Sequence, residues 1–469
     1  MSAEFDTMSA VALRALVARR EVSPVELTRR ALDRAIATQE TLNAFFVILE
    51  EEAMAAARVA EDAVMAGAPL GVLHGLPFSA KDLMAVKGVR YASGSRAMAG
   101  NVAEVDAPAV ERAKAAGAIL VGKTTTSEFG CKPIGDSPLT GITRNPWNLA
   151  MTPGGSSAGA AASVAAGITP FALGTDGGGS IRIPCALSGL SGLKGQFGRV
   201  PVWPTSATPT LAHVGPIARS MEDAALLFSA VAGHDRRDPF GVAGPVPDMM
   251  GAARASMAGM RVAYSPTFGY ARPEPEVVEA CDRAALAFEA LGCQVERVEA
   301  VFDTDPADLW TAEFYAGVGT RLRNVLENQR ELLDPAVADI LMPALSQEMR
   351  SYYASVFERY ALRERMRLFF ETYDLLISPV VPVSALEAGR NLPAGLEDRN
   401  LVSWVFYTYP FNLTGQPAGA VCAGVSSAGM PIGLQIVGRA CCEDDVVRAA
   451  CAFERTMPPG YNRPPALGA

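Results

Sequence analysis

The sequence predicts an α/β fold, with one large domain in which helices lie outside a parallel or mixed β-sheet. Between residues 72 and about 233, short apolar runs typical of buried strands alternate with helical segments. The composition is globular, with 49% hydrophobic and 19% charged residues in a chain of 469. We find no linker between self-sufficient halves, so a single domain is expected over 1–469.

The first 65 residues are predicted to form helices. Ser23-Pro24-Val25-Glu26 has the pattern of a capping box with proline at the first helical position. Residues 72–233 follow as the α/β part, which we take as the catalytic core. Within it, 107–116 favours a helix and 118–121 a buried strand.

The second half of the chain continues the pattern around one long helical segment. Residues 306–372 are strongly helical, and we interpret them as an insertion next to the substrate pocket. Residues 374–455 are expected to close the sheet with strands and a final helix. The predicted elements of this half are the helix 277–291, the strands 294–298 and 374–379, a hairpin-like pair 420–424 and 431–437, and the helix 444–455.

Charge and hydropathy exclude several function classes. The net charge of −9 and the lack of Lys/Arg clusters argue against a nucleic-acid partner. The most apolar long run, 159–174, is interrupted by Pro170 and is too weakly apolar to span a bilayer. The first ten residues lack the basic start of a secretory signal, so a cytoplasmic protein without membrane contacts is expected.

The cysteines and histidines indicate neither a metal site nor a cofactor. Eight cysteines form no C-x-x-C pair, and the chain has three histidines, so no zinc site is expected. The scattered cysteines fit reduced, buried thiols. Cys131 and Cys185 remain alternative nucleophiles, although no histidine lies near either in sequence.

The Gly/Ser-rich segment 152–184 is the strongest candidate for chemistry. Gly155-Ser156-Ser157-Ala158-Gly159 matches the nucleophile elbow G-x-S-x-G, which needs a preceding strand and a later histidine. The preceding residues hold two prolines and no strand pattern, and only His213 and His234 follow. A Gly-rich anion-binding loop and plain close packing of small residues are the other interpretations.

A lysine is a candidate for the missing base. Lys81 lies in an apolar run, His74-Gly75-Leu76-Pro77-Phe78-Ser79-Ala80-Lys81-Asp82. A lysine in such a run is often a surface residue that buries its stem. Burial of the ammonium would instead lower its pKa, and a fall from about 10.4 to near 7 corresponds to roughly 4–5 kcal/mol. A buried Lys81 would therefore serve a serine nucleophile as its base.

Together these motifs resemble the amidase signature family. The resemblance covers 75–82, 145–148, 152–198 and 410–439, and nearly the whole chain fits more weakly. It implies a mixed, mostly parallel, twisted sheet covered by helices on both faces. It also implies that Ser180 is the nucleophile, that Ser156 follows a cis peptide bond and relays the proton, and that Lys81 is the base.

The resemblance also assigns the surrounding groups. Backbone N–H groups of Gly177, Gly178, Gly179 and Ser180 are expected to form an oxyanion hole, each donor contributing about 3–4 kcal/mol. Asp176 and Arg182 would support this loop, unless they are a plain surface pair, and Ser157 would hydrogen-bond within the relay. Ala158, Gly177 and Gly195 depart from the usual family motifs, so the resemblance does not transfer a substrate preference.

The implied activity is hydrolysis of C–N bonds in small linear amides or carbamates (urethanes), with esters as further substrates. The alternatives are the glutaminase component of an amidotransferase built from several chains and a catalytically silent scaffold. We expect a small-molecule substrate and a monomer or homodimer. An apolar, aromatic-lined pocket is expected, formed by 132–143, 203–210, 310–353 and 404–411, unless these aromatic residues are core. The aromatic residues expected from these segments are Trp203, Trp310, Phe314, Tyr315, Trp404, Phe406, Tyr407 and Tyr409. Arg144 and Arg321 are candidate partners for a substrate carboxylate.

Overall fold

A central sheet of eleven strands organises the computed structural model, which describes residues 3–465. The strands, including a separate two-stranded ribbon of β4 and β5, are β1 (Phe45–Ile48), β2 (Pro77–Lys81), β3 (Ile119–Thr124), β4 (Asp136–Ser137), β5 (Gly141–Ile142), β6 (Phe171–Asp176), β7 (Ser191–Lys194), β8 (His213–Ala218), β9 (Arg261–Tyr264), β10 (Gln294–Arg297), β11 (Leu375–Pro379), β12 (Ala418–Val425) and β13 (Pro431–Gly438).

The helices before the long helical segment are α1 (Ala10–Ala18), α2 (Pro24–Leu42), α3 (Glu50–Met65), α4 (Pro108–Ala115), α5 (Ala158–Ala165), α6 (Arg182–Ser188), α7 (Met221–Val231), α8 (Met249–Ala252) and α9 (Pro275–Ala290). Those that follow are α10 (Ala307–Arg321), α11 (Arg323–Asn328), α12 (Pro335–Ala344), α13 (Met349–Thr372), α14 (Pro410–Thr414) and α15 (Glu443–Glu454). Short 3₁₀ turns occur at Ala3–Asp6, Arg96–Met98, Glu128–Gly130 and Arg330–Leu332.

The predicted α/β class with a mixed sheet is confirmed. The strand order is β1-β3-β2-β6-β8-β7-β12-β13-β11-β9-β10. Strands β3, β2 and β6 are parallel neighbours, as are β11, β9 and β10. Antiparallel neighbours outnumber parallel ones, because β8, β7, β12 and β13 pair antiparallel between these two groups. The hairpin-like pair at the end of the chain is the antiparallel pair β12–β13.

Alternating residues along the strands build a core on each face of the sheet. On β11, Leu375 and Ile377 join one hydrophobic cluster, whereas Leu376 joins the other. Because successive side chains of a strand point to opposite faces, this alternation places helices on both sides. The first cluster packs against α1, α4, α7, α9 and α15, and the second against α5, α6, α10 and α12.

Local signals in the sequence set the helix ends. The Ser23 hydroxyl accepts hydrogen bonds from the N–H groups of Val25 and Glu26, and Pro24 is the first residue of α2.

The helical segment predicted over 306–372 forms α10 to α13. No helix within residues 3–465 has the length and apolar character needed to cross a bilayer.

Candidate active site

The register of two parallel strands brings Lys81 beside Thr175. Strand β2 pairs with β6 so that Ala80 lies opposite Leu173, and Lys81 ends β2. Because the carboxyl ends of parallel strands meet at one edge of a sheet, the residues that follow both strands face the same space. Ligand sites of α/β sheets form at such edges.

Lys81 is fully buried and hydrogen-bonded to two hydroxyl groups. Its Nζ lies 2.7 Å from Ser156 Oγ and 2.8 Å from Thr175 Oγ1. Burial lowers the pKa of the Lys81 ammonium well below its ordinary value, and the charge of Asp176 opposes that fall only in part. The structure thus holds an amine with a depressed pKa within proton-transfer distance of Ser156.

The Ser156-Ser157 pair lies at the start of α5. The Gly155–Ser156 peptide bond is cis. Gly155 is required by a close approach, since a Cβ there would lie 2.2 Å from the carbonyl oxygen of Ile134. Ser157 exchanges hydrogen bonds of 3.2 and 3.3 Å with the backbone of Thr175, so it fastens the loop to β6 and has no direct bond to Lys81, Ser156 or Ser180.

Ser180 lies on the loop that joins β6 to α6. It is 9% exposed and lines the same cavity as Ser156 and Thr175. Within residues 3–465 its hydroxyl has no hydrogen-bond partner, so the Ser156–Ser180 step of the expected relay is not closed by a hydrogen bond in the free protein. Catalytic hydrogen bonds often tighten only when substrate binds.

Three N–H groups of the loop 177–180 have no hydrogen-bond partner among residues 3–465. In the described part of the chain, the N–H groups of Gly177, Gly178 and Ser180 have no hydrogen-bond partner. Gly179 differs, because its N–H donates to Asp176 Oδ1 at 2.7 Å. Its φ of +129° also requires glycine. One of the four expected oxyanion donors, the Gly179 N–H, is therefore already hydrogen-bonded within the loop.

Aromatic residues of α10 support this loop from behind. Trp310 Nε1 donates to the carbonyl oxygen of Gly177 at 2.7 Å, and Trp310 stacks on Phe314. A Cβ on Gly177 would lie 2.8 Å from Phe314, and one on Gly178 would lie 2.8 Å from Trp310. Side chains at these glycines would therefore collide with α10.

Asp176 and Arg182 form a fully buried ion pair, not a surface pair. Two hydrogen bonds, of 2.9 and 3.0 Å, join the guanidinium to the carboxylate. Arg182 also donates to Thr408 O, Gln435 Oε1 and Asn412 Oδ1. Burial alone would raise the pKa of Asp176, but the charge and hydrogen bonds of Arg182 outweigh it and lower that pKa.

Arg182→Met is expected to lower the free energy of unfolding by about 3–5 kcal/mol, because it leaves the Asp176 carboxylate buried without its partner. Urea denaturation of the purified chain measures this. Arg297→Met is the matched control, since Arg297 is half-exposed in its pair with Asp282, and such pairs contribute about 0–1 kcal/mol. Equal losses in the two variants would contradict a structural role for the buried pair.

The candidate site opens into a cavity of about 350 Å³ with a mostly apolar wall. Of the aromatic residues predicted for the pocket, Trp203 and Phe314 line it. The other six, Trp310, Tyr315, Trp404, Phe406, Tyr407 and Tyr409, are buried core residues outside its wall. The segments 132–143 and 404–411 therefore do not line this cavity. Arg321 lines it and Arg144 does not.

The alternative nucleophiles do not fit the geometry. Cys131 and Cys185 are both completely buried, and burial raises the pKa of each thiol, which disfavours a thiolate.

In the described chain no strand ends at Gly155, as a nucleophile elbow would require. His213 donates from Nδ1 to the carbonyl oxygen of Leu211, with its Nε2 facing Lys194, and His234 is largely outside the core.

Several residues of the site were not predicted from the sequence. Thr175 touches Lys81, and the β2–β6 register would have revealed it. Phe129 and Gly130 lie on a turn with positive φ beside Ser156, and Tyr91 lines the same cavity. No local pattern marks these three residues as neighbours of Ser180, since they come together only through the tertiary fold.

Comparison with known proteins identifies the family. A family model described as Amidase matches residues 26–447. The chain is 35% identical to an acylamidase of Rhodococcus erythropolis over 97% of each chain. It is also 35% identical to a glutamyl-tRNA(Gln) amidotransferase component of Geobacter metallireducens, over 93% of this chain and 94% of the relative. The crystal structure of a bacterial aryl acylamidase superposes with a TM-score of 0.92 at 30% identity, covering 98% of this chain and 99% of that one. The chain therefore belongs to the amidase signature family and is an amide-hydrolysing enzyme.

Proposed function

We propose that the protein hydrolyses small aryl or alkyl amides, with carbamates and esters as further substrates, through an acyl-enzyme on Ser180. The observation that carries this proposal is the 2.7 Å contact between buried Lys81 and Ser156, in the same cavity as the unpaired Ser180 hydroxyl. A desolvated amine next to one serine, and a second serine beside unpaired N–H groups, are the parts that acyl transfer needs.

In the proposed mechanism, neutral Lys81 takes the proton of Ser156, and Ser156 takes that of Ser180. The Ser180 oxygen then attacks the substrate carbonyl carbon. The N–H groups of Gly177, Gly178 and Ser180 hold the resulting oxyanion, while Gly179 keeps its bond to Asp176. The C–N bond breaks as the relay returns a proton to the amine, and water then hydrolyses the ester on Ser180 by the same route.

The cavity wall supports an apolar substrate and a stand-alone enzyme. Apolar side chains provide most of the wall, among them alanine, proline, leucine, methionine, valine and aromatic residues. Among the described residues of the wall, Asp176 is the single acid, and Arg182 already neutralises it. The α-ammonium group of glutamine would therefore lack a carboxylate partner. Similarity to an amidotransferase component still keeps the glutaminase function as the second candidate.

Hydrolysis by the purified single chain separates the two candidates. The substrate panel is a short-chain anilide, an aryl carbamate, a primary aliphatic amide and glutamine. We expect turnover of the anilide without any other chain. Turnover of glutamine alone, or activity that needs the other chains of an amidotransferase, would overturn the proposal in favour of the glutaminase.

Amide hydrolysis is expected to rise with pH and then reach a plateau. The reason is that the proposed base is the neutral form of Lys81, whose pKa burial lowers well below the ordinary value. Below that depressed pKa the amine is protonated and cannot accept the Ser156 proton, and above it the rate no longer depends on Lys81. Initial rates of one anilide between about pH 5 and 10, expressed as kcat/KM, measure the profile. A fall in rate from about pH 6 to 8 would contradict a lysine base.

A further inference from the structure

One face of the α10–α11 segment runs along the cavity from the candidate nucleophile outward. The lining residues of this segment are spaced i, i+4, i+7, i+8 and i+11, as one helical face requires: Phe314, Val318, Arg321, Leu322 and Val325. Phe314 touches the Gly177 end of the site. The wall then becomes aliphatic before it reaches the guanidinium of Arg321.

Arg321 is a cation that has no counterion among residues 3–465. Asp176 and Arg321 are the charged side chains that line the cavity within residues 3–465, and Asp176 is paired with Arg182. Arg321 forms no ion pair in the described chain. It donates one hydrogen bond, from Nη1 to the carbonyl oxygen of Thr205 at 2.9 Å, so most of its five N–H donors remain available.

The surroundings of Arg321 suit an anion on a ligand. The Tyr91 side chain also belongs to the cavity wall. Burial and the charge of Asp82 raise the pKa of Tyr91, and the charge of Arg321 opposes that rise. Arg321 is exposed, so an anion would be bound at the mouth of the cavity and would keep part of its hydration.

The helix also sets a distance. Phe314 and Arg321 are seven residues apart, which corresponds to about 10 Å along a helix axis. The Arg321 side chain lines the cavity, so we expect an anion bound to it to lie within about this distance of the Ser180 region. A linear spacer of about six to eight bonds covers this gap, at roughly 1.2 Å per bond in an extended chain.

We infer that Arg321 is a specificity-determining residue, and that the preferred substrate is an amide with a carboxylate at the far end of an apolar spacer. The inference rests on the proposed function, since it places the scissile carbonyl at Ser180. The guanidinium binds the carboxylate through charge-assisted hydrogen bonds, and the aliphatic face of α10 contacts the spacer. The same chemistry applies to a carboxylate on the acyl or on the amine portion.

Two substrate series test the inference in the full-length chain. The first contains p-nitroanilides of succinic, adipic and suberic half-acids, each beside an uncharged methyl ketone of equal length. The second contains N-benzoyl ω-amino acids beside the matching methyl ketones, with the released amine measured. In one of the two series, we expect the longer carboxylate substrate to exceed its matching ketone about tenfold in kcat/KM, mainly through a lower KM. The effect is limited to about tenfold because solvent exposure of Arg321 weakens the charged contact.

The variants distinguish recognition from folding. Arg321→Gln is expected to remove the carboxylate preference while changing ketone turnover less than about threefold, and Arg321→Lys to retain part of it. Arg323→Gln is the matched control, because Arg323 is an exposed neighbour outside the cavity wall. The preference should also shrink between low and high salt.

The outcomes separate this inference from the proposed function. Equal turnover of acids and ketones by the wild type, or a preference that survives Arg321→Gln, would overturn the role of Arg321 and leave the amidase proposal standing. A uniform loss for acids and ketones in Arg321→Gln would also overturn it, since that result indicates a structural contact with Thr205. Inactivity on every compound would refute both proposals.

Discussion

Ser180→Ala is expected to lower kcat/KM for an anilide by a factor of about 10⁴ or more, because the variant has no oxygen on which to form the acyl-enzyme. The fold should not change. The Ser180 hydroxyl has no hydrogen-bond partner within residues 3–465, so its removal should alter the free energy of unfolding by about 0.5 kcal/mol or less. Initial rates and urea denaturation of the same preparation measure the two effects.

A second serine gives the matched control. Ser163 lies inside α5, where its hydroxyl donates to the carbonyl oxygen of Ala160 and faces Ser79. Ser163→Ala should keep activity within about threefold while it lowers the free energy of unfolding by about 1 kcal/mol. The contrast therefore distinguishes a reacting hydroxyl from a packed one.

Covalent labelling identifies the reacting serine directly. A fluorophosphonate should modify the wild type at Ser180, as seen by mass spectrometry of the peptide, and should fail to modify Ser180→Ala. A label on Ser156 or Ser157, or unchanged turnover by the alanine variant, would show that the nucleophile is a different residue.

The class of fold could be predicted because buried strands are recognisable in the sequence as short apolar runs. The mostly apolar, fully buried run of β11 and the alternation through 72–233 were sufficient for that. The full strand order was not accessible, because β7 and β12 are neighbours at the centre of the sheet although they come from distant parts of the chain. Local sequence carries no information about which distant edges will meet.

The catalytic candidates Lys81, Ser156 and Ser180 could be predicted because their motifs resemble those of the amidase signature family, which implies their roles. The commitment of the Gly179 N–H to Asp176 could not, since it depends on the path of one loop relative to one carboxylate. The role of Ser157 follows the same rule. The family resemblance implied a place for Ser157 in the relay, whereas its hydroxyl hydrogen-bonds to the Thr175 backbone and holds the loop to β6.

The pocket wall was the least predictable part. The aromatic residues of 404–411 were expected in the wall because large apolar side chains fit both a pocket and a core. The structure places Tyr407 and Tyr409 in the core, with hydroxyl groups bonded to Pro266 O and Asp305. Residue type cannot distinguish a pocket wall from a core, because an aromatic side chain is stabilised in both by burying its apolar area and by one hydrogen bond to its polar group.

Lys81→Arg provides the sharpest test of the proposed base, and we expect it to lower kcat/KM for an anilide by about 10³-fold or more. The variant keeps hydrogen-bond donors at this position, but a guanidinium does not lose its proton in proteins and cannot accept one from Ser156. Lys81→Met should cause a similar loss, because it removes the base without adding a charge. If the role of Lys81 were only to attract an anion, Lys81→Arg would retain most of the activity.

The leaving group gives an independent readout of the same base. A p-nitroanilide needs a proton on its departing nitrogen, whereas p-nitrophenolate departs without one. We therefore expect Lys81→Met to impair hydrolysis of a p-nitroanilide by a larger factor than hydrolysis of the matching p-nitrophenyl ester. The residual ester activity should also lose the rise with pH that neutral Lys81 causes in the wild type. Equal losses for both substrates with an unchanged pH profile would contradict Lys81 as the base. Its contacts with Thr175 and Ser156 would then be purely structural.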